Sequence, residues 1–188
     1  MTYIVLIMSI FDLLFNNDKN IIRHNYLDEQ INISINDFKE EKEEYDNYLR
    51  YNTWNGEDKE IIIKKVNRYL NSTLKDKGQF IVEYSISKGI DPYLTVSVML
   101  QETGCRWTCS YLTRVCNNVG GNKGTPSCNG GSYRKFDTIE EGIKFAINKL
   151  NSYYKKGITD PKDINKYYAS DKTWYKKVNN YMKKIKRG

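Results

Sequence analysis

Ile90-Asp91-Pro92-Tyr93-Leu94-Thr95-Val96-Ser97-Val98-Met99-Leu100-Gln101-Glu102-Thr103-Gly104 is the stretch from which the rest of the chain can be read. Asp91 ahead of Pro92 predicts a helix start. The Asp side chain accepts from the free N–H groups of a first turn, and proline at the first helical position lacks only a donor that has no intrahelical partner. Gly104 offers the left-handed residue that closes such a helix. The helix should therefore run from Pro92 to Thr103, with Leu94, Val98 and Met99 as its buried stripe. Glu102 then sits on the last turn. Its carboxylate faces the negative end of the helix dipole, which disfavours ionisation and raises its pKa. That position suits an acid better than a structural anion.

Working outward, the same logic yields more helices. Gln79 to Lys88 reads as one, closed by Gly89. Ile62, Val66, Tyr69, Leu70 and Thr73 keep helical spacing and predict another that stops at Gly78. Asp37 to Tyr51 is charged, with Phe38, Tyr45, Tyr48 and Leu49 on one face, and predicts a peripheral helix. On the C-terminal side, Thr138 and Glu141 form a capping box that opens a helix through Ile139, Ile143, Ile147, Leu150 and Tyr154, ended by Gly157. Asp160-Pro161 starts a short helix, and Trp174, Val178, Tyr181, Met182 and Ile185 line a last one. Between Cys105 and Phe136 the glycines Gly120, Gly121, Gly124, Gly130 and Gly131 alternate with asparagines and cysteines, and the stretch reads as one long loop. No β-alternation of useful length and no repeat occurs, so the expected fold is all-α, a bundle of helices around one irregular loop.

The chain of 188 residues allows one domain with a short extension. Residues 1–36 are expected to be an apolar N-terminal segment and a polar linker, and 37–188 the folded domain. Thr2 to Phe15 is apolar apart from Ser9 and Asp12, short for a membrane span and without a basic n-region or small-residue cleavage site. A degenerate signal or membrane anchor at the N-terminus is the expectation, against an amphipathic helix or a precursor remnant. The net charge of +7 suits an acidic partner. Its excess lies between Lys172 and Arg187, where the solvated face of a terminal helix explains it equally well.

His24 is the only histidine and lies in the polar N-terminal segment. A Ser-His-Asp triad, a Cys-His peptidase and a His-liganded zinc site all need imidazole beside the reacting group, so these classes fall away. No phosphate-binding GxxxxGK[ST] loop occurs. Carboxylate chemistry is left. Cys105, Cys109, Cys116 and Cys128 follow a C-x3-C-x6-C-x11-C spacing with no C-x2-C knuckle, which favours two disulfides in an oxidising compartment over zinc or free thiols. All three pairings are open. Pairing Cys116 with Cys128 would enclose Asn117 to Ser127, the more useful loop, whereas Cys105 with Cys109 closes the shortest.

The helix ending in Glu102-Thr103-Gly104 resembles the catalytic helix of lysozyme-like peptidoglycan hydrolases. Asn117-Asn118-Val119-Gly120-Gly121-Asn122-Lys123-Gly124 is similar to the Asn-Asn-x-x-Gly loop of bacterial N-acetylglucosaminidases. Tyr133 through Ile143 looks like their Phe-x-x-Phe/Tyr-Asp-Ser-x-Glu-Glu-Gly-Ile segment. Tyr167-Tyr168-Ala169-Ser170-Asp171 with Trp174 resembles their Tyr-Ala-x-Asp-x-x-Trp tail. Order and spacing agree over about Phe80 to Lys186, leaving the first 75 or so residues outside. The cysteines are a departure from many relatives.

The resemblance implies a lysozyme-like domain that cuts the β-1,4 bond between N-acetylmuramic acid and N-acetylglucosamine, without metal or organic cofactor. It carries Glu102 over as general acid, with Met99 and Leu100 supplying part of an apolar pocket. Asp137 is the favoured second carboxylate over Glu140 and Glu141, although some glycosidases use the substrate's acetamido group instead. Tyr168 is implied to stabilise developing charge. Tyr167, Ser110, Asn117, Asn118, Gly120 and Gly121 are implied to hold the sugar; Asn-Asn and Gly-Gly are also what turns use, and both roles are expected of them. The similarity is to lysozyme-like domains of phage tails and conjugative elements of Gram-positive bacteria. It implies an extracytoplasmic, cell-surface or phage-particle location and an assembly partner, with glycan strands and not nucleic acid as ligand. The alternatives are a wall-binding module with a dead site and, further off, a basic nucleic-acid-binding module, which salt dependence would reveal.

Overall fold

The computed structural model describes residues 29–49 and 52–188 and divides into two compact units, Met1–Tyr51 and Asn52–Gly188. The apolar run at Thr2 to Phe15 and His24 lie outside the described residues. In the first unit, residues 29–49 form one helix, α1. It is already helical at 29, ahead of the expected start at 37, so part of the expected linker is helical. Once a helical turn exists, each further residue adds a hydrogen bond at little cost, and weak periodicity does not stop it.

The second unit opens with a hairpin that the sequence reading missed. Thr53–Trp54 pairs antiparallel with Glu57–Asp58 across Asn55-Gly56, both at positive φ (50° and 80°). An Asn-Gly pair is the standard signal for this turn, but strands of two residues carry no alternation to notice. Asp58 then caps α2 (Lys59–Asn67), accepting from the Glu60 amide at 2.7 Å. The expected continuation to Thr73 does not occur. The Asn71 amide donates out of the helix to the Cys105 carbonyl at 2.8 Å, and a 3-10 turn covers Ser72–Leu74. Leu70 and Leu74 are buried all the same, because the turn folds them into the core that the helix would have reached.

Next come α3 (Gly78–Ser87) and α4 (Pro92–Thr103), the latter capped as expected by the Asp91 carboxylate on the Tyr93 amide at 2.8 Å and by Gly104 at φ 66°. Only a stripe of α4 was expected inside; in fact it is buried from Pro92 to Leu100 and again at Thr103. Its polar residues survive burial by bonding back along the helix, Ser97 Oγ to the Tyr93 carbonyl and Thr103 Oγ1 to the Met99 carbonyl, each at 2.6 Å. A short helix, α5 (Tyr111–Cys116), interrupts the long loop. Then α6 (Ile139–Tyr154), α7 (Pro161–Tyr168) and α8 (Trp174–Arg187) complete a mainly helical domain of the expected class. α8 lies along α4, and its last carbonyls receive the Lys65 ammonium, the Arg68 guanidinium and the Tyr69 hydroxyl at 2.8 to 3.0 Å, which satisfies an otherwise open helix end.

Candidate functional site

The C-terminal end of α4 meets the N-terminal end of α8. There the Trp174 indole N–H donates to Glu102 Oε1 at 2.8 Å. Trp174 is buried and Glu102 half-buried. Burial is the leading cause that raises the Glu102 pKa; the indole N–H and the Lys149 ammonium pull it back only in part. The expected direction is therefore observed, with loss of water as its main source. Lys149 comes from α6, its own pKa lowered by the same burial, and its ammonium sits 4.4 Å from the Tyr168 ring centre. Tyr168 stacks on Trp174 at 4.9 Å between ring centres. Burial and the Glu102 carboxylate raise its pKa, so it stays a hydroxyl donor at any physiological pH.

The facing wall is the loop. A Cβ built on Gly121 would stand 4.0 Å from Glu102 Oε2, so the Gly-Gly segment approaches the carboxyl directly. Beside it opens a cleft of about 640 Å³ lined by Gly121, Asn122, Lys123, Phe145, Asn148 and Lys149. Gly142 explains how α6 comes so near: a side chain there would collide with the Asn117 carbonyl.

The asparagines show the turn chemistry expected of them beside sugar binding. Asn118 is 1% exposed; its Nδ2 donates to the Asn122 and Arg134 carbonyls at 2.8 and 2.7 Å, and its Oδ1 accepts from the Asn122 amide at 2.9 Å. Asn117 closes α5 in a left-handed conformation and donates to the Phe136 and Asp137 carbonyls at 3.0 and 3.1 Å. Both brace the loop. Ser110 caps α5, its oxygen accepting from the Thr113 amide at 3.4 Å. Tyr167 is 66% exposed and stacks on Tyr153. Gly120 is buried against Ala146.

Asp137 is exposed just ahead of α6, its amide N–H donating to the Glu141 carboxylate at 3.1 Å. Lys149 is the α6 residue whose charge acts on Glu102, and at a rise of ~1.5 Å per residue the start of α6 at Ile139 lies roughly 15 Å back along the axis, with Asp137 two residues before it. Glu140 pairs with Lys77 at 2.6 Å. Of the implied site residues, then, Glu102, Tyr168 and Gly121 are brought together. Trp174, Lys149 and Asn122 join them without having been singled out. Trp174 carried a signal in the tail motif, whereas Lys149 lies within a helix like any surface lysine. Asn122 is 4% exposed and its Nδ2 finds no protein partner, an unspent donor in the wall of the cleft.

The four cysteines are paired, Cys105 with Cys109 and Cys116 with Cys128, and the second bridge encloses the loop wall. A family model described as Glucosaminidase, mannosyl-glycoprotein endo-β-N-acetylglucosaminidase, matches residues 78–187, more than half of the chain. The chain belongs to this family. Among curated proteins none matches it. The glucosaminidase match begins with α3, covers every residue of the site just described, and agrees with the span read from the motifs. It makes the chain a glycosidase of the lysozyme-like, peptidoglycan-directed kind. A glucosaminidase of the wall works outside the cytoplasm, where paired cysteines persist. Among the described residues no cluster of His, Cys, Asp and Glu could hold a metal, and no helix is long and apolar enough to cross a membrane.

Proposed function

We propose that the protein cleaves the β-1,4 bond between N-acetylmuramic acid and N-acetylglucosamine in peptidoglycan strands, with Glu102 as the general acid. The observation that carries this reading is the half-buried Glu102 carboxyl, held by the Trp174 indole across from Gly121 and the cleft. A general acid needs a proton retained near neutral pH, and burial supplies the retention. No other carboxylate bonds to or pairs with Glu102 among the described residues, and Asp137 is remote. The step therefore falls to the substrate: the acetamido oxygen attacks C1, the glycosidic bond breaks, and its oxygen takes the proton of Glu102. Water then opens the cyclic intermediate, returning a proton to the Glu102 carboxylate. Tyr168 faces the charge that develops on the sugar. Lys123 and Lys149 line the cleft along which the strand would run. Both sugars carry a 2-acetamido group, so assistance does not choose the bond; the glucosaminidase family match favours cleavage on the N-acetylglucosamine side.

Mass spectrometry of digested sacculi tests the reading. Reducing N-acetylglucosamine ends are expected, and anhydro-muramyl ends would overturn the acetamido route in favour of intramolecular attack by the 6-hydroxyl. The assignment to a phage-tail or conjugation assembly at a Gram-positive wall is part of the same proposal; lysis of such walls by the purified chain is its first check.

A further inference from the structure

The bridge between Cys105 and Cys109 has no part in the cleft beside Glu102. It closes a tight loop that carries Arg106 and Trp107. That loop is clamped from outside by Asn71, whose amide donates to the Cys105 carbonyl at 2.8 Å and whose side chain donates to the Arg106 carbonyl at 2.6 Å. So rigid a mounting presents an indole that is 77% exposed, where burial cannot be its purpose. The Arg106 guanidinium lies between two rings, 4.3 Å from the Tyr69 centre and 5.2 Å from that of Trp107, and donates to the Arg68 carbonyl at 2.6 Å. Stacking fixes the plane of the cation while leaving it free of any carboxylate partner among the described residues.

Beside this loop is a second cavity, about 420 Å³, between the end of α4 and one face of α8. Gln101 contributes from α4, and Lys177, Asn180 and Lys184 from α8 at helical spacing. Lys177 is shared with Asp171 at 3.0 Å; Lys184 enters no salt bridge among the described residues. Gln101 adjoins Glu102 in the chain, and Lys177 follows Trp174 by one turn of α8, so the cavity borders the residues of the candidate site. The lysine excess of α8 is thus only in part a solvated face.

We propose that this cavity is a second saccharide site that takes an acidic, N-acetylated sugar. Its ring stacks on Trp107, its carboxylate meets Arg106 and Lys184, and the amides of Gln101 and Asn180 serve its hydroxyl and acetamido groups. A neutral sugar would not need the cations, and a simple anion would not need a pinned, exposed indole. The choice of ligand rests on the peptidoglycan reading above: muramic acid bears a free lactyl carboxylate wherever its stem peptide has been removed, so the site would favour strands stripped of peptide. The site would hold the strand away from the scissile bond and raise residence on the wall.

The test is calorimetric binding by the full chain carrying Glu102→Gln, so that the ligand is not cut. Two probes share a β-1,4 N-acetylated backbone: peptidoglycan glycan strands freed of stem peptides and phosphate polymers, whose lactyl carboxylates make them acidic, and chitohexaose, which is neutral. Trp107→Ala and Lys184→Gln should each weaken binding of the acidic strands by about 5- to 30-fold. Lys184→Gln should change chitohexaose affinity less than about two-fold. Both side chains are exposed, and circular dichroism checks that the fold is retained. Unchanged affinity for the acidic strands in both variants would overturn the site, and equal losses on the two probes in Lys184→Gln would overturn its acidic preference. Dye release from labelled walls by the unsubstituted chain reports separately: failure there with the binding differences intact removes the catalytic reading and leaves this one.

Discussion

The two walls that meet at Glu102 are built by different physics. The α4–α8 wall is an apolar core: Leu94, Val98, Met99 and Leu100 of α4 and Val178 and Ile185 of α8 are all buried, each such side chain stabilising by about 1.5–3 kcal/mol. The opposite wall, from Cys116 to Phe136, buries little beyond Val119, Phe136 and the paired sulfurs. It keeps its shape through a covalent bridge and through Asn117 and Asn118, whose amides bind the backbone of the loop in place of helix or sheet hydrogen bonds. In the proposed reaction the proton is retained on the wall that excludes water, and contact with a hydrated sugar would fall to the wall rich in backbone polar groups. The first wall should fail only with the whole domain, the second by itself.

The largest effect expected is on catalysis. Glu102→Gln should lower wall lysis by on the order of 10²–10⁴-fold with helix content unchanged. It should also raise the melting temperature at neutral pH. With the folded pKa raised above 4.5, the group favours the folded state fully below its unfolded value, and that contribution is lost as pH climbs through the folded pKa. Lysis within about three-fold of the original would break the assignment of the acid to this wall. Leu94→Ala should cost about 2–5 kcal/mol and lower the melting point of the entire domain. Activity lost with the melting point unchanged would show that the helical wall, too, can fail by itself.

On the loop wall, replacing Cys116 and Cys128 by serine should cost about 3 kcal/mol, against about 2 for Cys105 and Cys109, since the longer closure restricts the unfolded chain more. Reduction should diminish lysis before ellipticity falls; simultaneous loss of both would mean that the two walls are one cooperative unit. The smallest effect concerns the join between the walls. Trp174→Phe removes the N–H that holds the Glu102 pKa down, so the high-pH limb of activity, where the acid loses its proton, should move upward. A downward shift in the pH–rate profile would show that Trp174 acts otherwise.

How much of this was legible follows from the range of each signal. The cap of α4 by Asp91-Pro92, its end at Gly104, the capping box of α6 and the position of Glu102 on a last turn all arise within about four residues, and they stand as read. The end of α2 was misplaced because the partner that draws Asn71 out of the helix, the Cys105 carbonyl, is remote in sequence. Asn117 and Asn118 read equally as sugar ligands and as turn residues because an amide suits a hydroxyl and a backbone carbonyl alike; the folded loop shows which carbonyls they hold. The disulfide pairing, open in sequence, was decided by which cysteines the loop brings side by side.

What the sequence by itself determined is therefore the set of helices, the loop between them and the single carboxylate poised at a helix end, because caps, periodicity and glycines act locally. What only the tertiary structure decided is that this carboxylate meets an indole 72 residues away, beneath a lysine from α6 and opposite Gly121. Those neighbours are set by how α4, α6 and α8 pack. The pKa of Glu102 depends on the water they exclude, a quantity that no short stretch of chain contains.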